Sequence, residues 1–179
     1  MLISLKPRSQ TEDLVGLLLD CHQRIRTFVR LAEEVGRRTD LRESEVVDAC
    51  QRCERYFKEG LPLHIEDEEK SLLPRLGGLG QGVDGALATM KAQHLEHTPL
   101  LLALLDALRM VQLEPGAEPR REHLRHVAAQ LRTEFERHLS LEEQVIFPAV
   151  RRHLSRDAQS LVVQELRARR RPSAKPPAS

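Results

Sequence analysis

The chain has no tryptophan, and aromatic residues make up only 3% of its 179 residues. It is therefore poor in the aromatic side chains that favour strands, and its apolar set is dominated by Leu and Ala, which favour helices. It lacks an excess of either charge: Lys plus Arg is 28, Asp plus Glu is 27, and the net charge is +1. That balance gives no reason to expect nucleic acid or an acidic membrane as the main partner. No run approaches the roughly 20 apolar residues that cross a bilayer. No signal peptide is evident either, since the apolar patch within residues 1–6 has neither a basic flank before it nor a small-residue cleavage site after it. A cytoplasmic protein is expected. Only three cysteines are present, Cys21, Cys50 and Cys53, too few for a secreted disulfide framework. Cys50 and Cys53 have redox or zinc spacing, but no second pair completes a zinc site. Free thiols on a helix are the simpler reading.

What the chain does have is helical periodicity in four long segments. The first runs from about Ser9, where Ser9 and Glu12 suit a capping box, to Arg38, with Val15, Leu18, His22, Ile25, Val29 and Ala32 on one face. The second runs from about Arg42 to Leu76, with Asp40 or Ser44 as N-cap and a bend at Gly60 and Pro62. A glycine-rich connection, LGGLGQGVDG over 76–85, lacks the Lys and Ser/Thr of a phosphate-binding loop. The third spans Asp84 to Gln112 with Leu87, Met90, His94, His97, Leu101, Leu104 and Leu108 on its seam, and Pro99 should kink it. The fourth runs from Pro119 to His153 with Leu124, Val127, Leu131, Phe135, His138, Glu142, Val145 and Ala149 on its seam. The expected architecture is all-α. An up-down-up-down four-helix bundle covers residues 1–154, a short helix 155–169 and a disordered basic tail 170–179.

The seams should be apolar, because an unpaired buried ionisable group costs several kcal/mol. Yet each carries a histidine, and two carry a repeated phrase. HIEDEEKSLLP begins at His64 and HLSLEEQVIFP at His138. Each places a Glu four residues after the His, so His64 with Glu68 and His138 with Glu142 share a helix face one turn apart. His22 and His94 come from the other two helices, and His97 follows His94 by one turn. A metal is the simplest group that satisfies such a convergence. Imidazoles and carboxylates without thiolate suit iron, manganese or zinc, and two carboxylates able to bridge favour a dinuclear site. On an iron pair, an open position would meet dioxygen, peroxide or nitric oxide. His94 is favoured over His97 as the ligand of the third helix. His97 is read as a second ligand, an outer hydrogen-bonding partner or a proton shuttle. Glu69 and Glu143 are expected to face solvent or support the ligands. His123, His126 and His153 fall off the seams.

These residues resemble the hemerythrin-like, or HHE cation-binding, family over roughly residues 9–154. The family pattern is a His, a His-x-x-x-Glu, a His and a second His-x-x-x-Glu on successive helices, with apolar-apolar-Pro after each Glu. Here these match His22, His64 with Glu68, His94, His138 with Glu142, and the LLP and IFP tripeptides ending at Pro74 and Pro148. The resemblance implies a four-helix bundle holding two non-haem irons as an Fe–O–Fe type centre. It also implies oxygen binding, oxygen or iron sensing, iron handling, or a response to nitric oxide or oxidative stress. The oxygen-carrying members place two His four apart on helix three, and an Asp five after the His on the last helix. His94 and His97 are three apart and Glu142 follows His138 by four, which moves the match toward the bacterial HHE and iron-centre-repair type.

Two functions stand side by side at this point, a di-iron protein that binds or reduces a small oxidant and a sensing or iron-handling module acting through a partner protein. Whether the chain is an enzyme is open between them. A ferritin-like oxidase is set aside, because no Glu here is followed by His at the third position. The terminal helix is placed either to cover a bundle face or to join a neighbour, including a second copy.

Overall fold

Periodic Leu- and Ala-rich segments become helices throughout residues 13–171, the residues described by this computed structural model. The Ser9–Glu12 capping box and the tail beyond residue 171 lie outside them. Helix α1 (Leu14–Arg37) forms the first rod. The second rod is α2 (Glu43–Arg55), a π-turn (Tyr56–Gly60), α3 (Leu61–Asp67), a second π-turn (Glu68–Leu72) and α4 (Leu73–Leu76). The third is α5 (Gln81–Leu113). The fourth is α6 (Glu118–Leu141), a π-turn (Glu142–Ile146) and α7 (Phe147–His153). Helix α8 (Arg156–Arg169) follows, its first turn capped by the Ser155 hydroxyl, which accepts from the Ala158 N–H. Among the described residues no helix is long and apolar enough to cross a membrane.

The arrangement is an up-down-up-down four-helix bundle with a short extra helix. α1 lies against α2 and α6, and α5 lies against the same two, so consecutive rods are neighbours and the fourth closes on the first.

Several boundaries differ from the sequence expectation. Arg42 caps α2 in place of Asp40 or Ser44, with the Glu45 carboxylate accepting the Arg42 backbone N–H at 2.9 Å. The third helix begins at Gln81, because Gly78 and Gly80, with φ of +85° and +116°, make the turn in fewer residues. Pro99 sits inside α5 without ending it.

The break expected at Gly60 and Pro62 takes the form of a π-turn, and it is one of three built alike. Each π-turn ends two residues before a proline: Pro62, Pro74 and Pro148. A proline ring clashes with the carbonyl four residues before it. Those carbonyls belong to Lys58, Lys70 and Gln144, each inside a π-turn, where the widened helix relieves the clash. The last π-turn also moves the seam by one residue, so that Ile146 is buried and Val145 only partly so.

Two apolar clusters fill the bundle, one around Ile25, Phe57, Leu104 and Leu131, the other around Leu18, Leu72, Met90 and Ile146. Cys50 and Cys53 are free, buried members of the first. Val162, Val163 and Leu166 of α8 complete the second. Between the clusters lies one layer of buried polar side chains.

Helix α8 is tied to the second rod at that level. Asp67 is fully buried and accepts from Arg169 at 2.7 Å and Arg170 at 2.6 Å, while Ser71 accepts from Arg169 and donates to Glu165. Asp67→Ala is expected to cost about 1–3 kcal/mol in chemical unfolding, less than a wholly buried pair because both arginines reach solvent. An unchanged unfolding midpoint would show that this clamp contributes nothing.

Candidate metal centre

His22, His64, Glu68, His94, His97, His138 and Glu142 are all buried in the polar layer, none more than 8% exposed. Helical spacing and the π-turns put them there. His64 and His138 lie one turn before Glu68 and Glu142, and a π-turn opens at each of those glutamates. His123, His126 and His153 are exposed.

Each glutamate lies between two histidines. Glu68 Oε1 is 3.0 Å from His64 Nε2, and Glu68 Oε2 is 3.2 Å from His94 Nε2. Glu142 Oε1 is 3.1 Å from His138 Nε2, and Glu142 Oε2 is 2.9 Å from His22 Nε2. Ligand atoms of His22, His64, Glu68 and Glu142 converge within 4.8 Å of one another, and so do those of Glu68, His94, His138 and Glu142. The two groups share both carboxylates. His97 belongs to neither; its ring packs on Phe135 and on the His138 ring, with centroids 5.1 Å and 5.3 Å away.

These close approaches are not hydrogen bonds. Both oxygens of Glu68 and of Glu142, and Nε2 of His22, His64 and His94, are buried with no hydrogen-bond partner. Buried polar atoms are almost always paired, and an unpaired one costs roughly 1–3 kcal/mol. Lone pairs aimed at common points rather than at N–H groups are the arrangement that a cation satisfies. The donor set of imidazole and carboxylate fits iron, manganese or zinc.

The outer ring nitrogens show why the repeat reads Glu-Glu. His22 Nδ1 is 2.7 Å from Glu143 Oε1, which Arg26 also holds at 2.8 Å. His94 Nδ1 is 2.9 Å from Glu69 Oε1. Each Glu-Glu pair thus faces both sides of one imidazole: Glu143 bonds His22 Nδ1 while Glu142 approaches its unpaired Nε2, and Glu69 bonds His94 Nδ1 while Glu68 approaches its unpaired Nε2. Glu69 and Glu143 therefore support the ligand candidates rather than only facing solvent. His138 Nδ1 meets Gln93 Oε1 at 3.0 Å. Gln93 was not legible beforehand, and its position directly before His94 was the only hint. Such partners orient a ligating imidazole and fix its tautomer. Glu143→Ala should weaken metal binding by about 10–100-fold, measured by competition with a chelator, while Glu136→Ala, which removes only the other partner of Arg26, should not.

Burial favours the neutral imidazole at His22, His97 and His138, whereas at His64 and His94 burial is outweighed by the neighbouring Glu68, which raises the imidazole above its usual range. Burial holds His22 down to about 4, with the charge on His64 adding to it, and holds His138 down to about 3. Burial also lowers His97. Against the burial that favours its neutral form, Glu68 is held well below the usual carboxylate range by His64. Burial together with the charge of Glu68 pushes Glu142 well above that range. Two carboxylates this close disfavour ionisation together, and a cation between them removes the conflict.

The comparisons with known proteins agree with this geometry. The chain matches the hemerythrin HHE cation binding domain family over residues 13–150, with a second, overlapping match over 88–169. It is also similar to a protein of Haemophilus influenzae described only as an uncharacterized protein. The two are 25% identical over 161 residues, covering 87% of this chain and 89% of that protein.

Proposed function

The chain belongs to the hemerythrin HHE cation-binding family, and on that premise we propose that it is a non-haem di-iron protein that binds or reacts with a small oxidant: dioxygen, peroxide or nitric oxide. The observation that carries the reading is the pair of four-residue groups sharing Glu68 and Glu142, each of which could hold an ion. In this reading His22 and His64 would hold one ion and His94 and His138 the other, with Glu68 and Glu142 common to both groups. Iron held there would supply a redox-active centre for chemistry with a small oxidant.

The remaining work is done by the chain. Glu143, Glu69 and Gln93 hold three imidazoles in the orientation that presents Nε2 inward. The apolar clusters above and below the layer exclude bulk water. His97, buried beside His138, is placed to accept or deliver a proton on the Phe135 side. His97→Ala should therefore leave the metal content near wild type, whereas His94→Ala should lower it. Equal losses would make His97 a ligand.

A second reading, an iron- or oxygen-sensing or iron-handling module acting through a partner, is favoured by one contact. Helix α8 grips Asp67 and Ser71, which flank Glu68, so a shift of Glu68 on metal binding would reach the surface through α8.

The test of the metal centre is direct. The protein, purified without a histidine tag, should carry two irons per chain and a visible absorption that changes on anaerobic reduction and on re-exposure to air. No transition metal, even after anaerobic loading with ferrous iron, would overturn the proposal. Turnover of peroxide or nitric oxide would then separate the first reading from the second.

A further inference from the structure

Three of the four inward-facing imidazoles have their outer nitrogen taken, by Glu143, Glu69 and Gln93. His64 is the exception. Its Nε2 turns to Glu68, and its Nδ1 is buried with no hydrogen-bond partner, on a side chain only 2% exposed. Where the others have an oxygen acceptor from a neighbouring rod, His64 has only the Cys21 thiol of α1 beside its ring and, around it, a cleft. The cleft, about 420 Å³ in volume, opens between α1 and the second rod and has His64 in its wall.

Arginine dominates that wall. Arg24 comes from α1, Arg52 and Arg55 from α2, and Arg170 follows α8; among the described residues Glu59 is the only acidic one lining it. Arg170 is partly engaged by Asp67 at 2.6 Å, and Arg52 lies 3.8 Å from Asp48. Among the described residues Arg24 and Arg55 have no ion-pair partner. Cys21 stands at the junction, against both the His64 ring and the Arg170 guanidinium. Tyr56, stacked on Phe28 with ring centroids 4.3 Å apart, adds an apolar wall.

We propose that this cleft binds a small polyvalent oxyanion, a carboxylate or a phosphate, between Arg24, Arg55 and Arg170. There it supplies behind His64 the negative charge that Glu143 and Glu69 supply behind His22 and His94. Guanidinium forks match both carboxylate and phosphate oxygens in bidentate fashion, so the shared chemistry is a planar or tetrahedral oxyanion. A ligating imidazole backed by an anion binds its metal more tightly. Occupancy of the cleft would thus tune the centre from outside the bundle. The role for His64 rests on the metal reading above, but the anion site itself does not.

Tyr56 is the sole tyrosine of a chain without tryptophan, so its fluorescence reports this cleft alone. The full chain is titrated with malonate and with inorganic phosphate at constant ionic strength, with and without iron. Malonamide serves as the neutral control. A saturable change with malonate or phosphate but not with malonamide is expected, weakened more than about tenfold in the Arg24→Gln/Arg55→Gln double variant. The tighter of the two anions identifies the chemistry. The double variant should bind its full complement of iron. Identical titrations of wild type and variant, equal responses to malonate and malonamide, or a response that follows ionic strength alone would overturn the proposal. A chain that binds the anion yet takes up no iron would defeat the di-iron reading and leave this one standing.

Discussion

Glu142→Gln is expected to strip the protein of nearly all its iron, not half of it. Glu142 contributes an oxygen to each of the two convergent groups, as Glu68 does, whereas each histidine contributes to one. Removing the carboxylate takes a negative charge and a ligand from both ion positions at once. The loss in affinity should exceed the roughly 100-fold upper range seen when only a supporting partner is removed. His22→Ala, by contrast, removes one nitrogen from one group and should leave about one ion per chain. Metal analysis after gel filtration separates the two outcomes. Gln keeps the volume of Glu, and neither Glu142 oxygen has a hydrogen bond to lose. The metal-free variant should therefore unfold close to metal-free wild type, so that lost iron cannot be ascribed to misfolding. Full iron in Glu142→Gln would defeat the idea of a shared carboxylate.

Chelation of the metal should lower the melting temperature by roughly 5–15 °C. The polar layer divides the core into two apolar clusters, and without a cation its buried oxygens and nitrogens lack partners. A ligand present at about 100 to 1,000 times its Kd stabilises the fold by about 2.7–4.1 kcal/mol. For a chain of this size each kcal/mol is worth about 2–4 °C. The same chelator should change the melting of Glu142→Gln little, since that variant has little metal to lose. A wild-type melting curve indifferent to chelation would mean that the layer is satisfied without a metal.

Much of the site could be read directly from the chain. Helical periodicity placed His22, His64, His94 and His138 on buried faces, and the repeated His-x-x-x-Glu put Glu68 and Glu142 beside two of them. A spacing of four within one helix is a local property, legible without knowing what lies opposite. The doubled Glu was equally visible, but its meaning was not. Glu143 meets His22 across 121 positions of sequence, and Glu69 meets His94 on a different rod. Local spacing carries no information about which helix becomes the neighbour.

Register was the second limit. An α-helical projection carries the seam from Glu142 to Val145, yet Ile146 takes the buried place because a π-turn adds one residue to that turn. The proline that accompanies the turn was in view, but prolines do not always cause one, as Pro99 in an unbroken α5 shows. The burial of Asp67, not singled out from the sequence, becomes intelligible only once α8 brings Arg169 and Arg170 over it.

What the sequence by itself determined, then, is the set of four helices, their inward faces and the residues able to hold a metal, because helix period and side-chain chemistry are local. Only the tertiary structure decided which histidine each carboxylate faces, which residues stand behind the imidazoles, and that His64 opens on an arginine-lined cleft. Those follow from which rods pack side by side, and that is settled by burying apolar surface over the whole bundle.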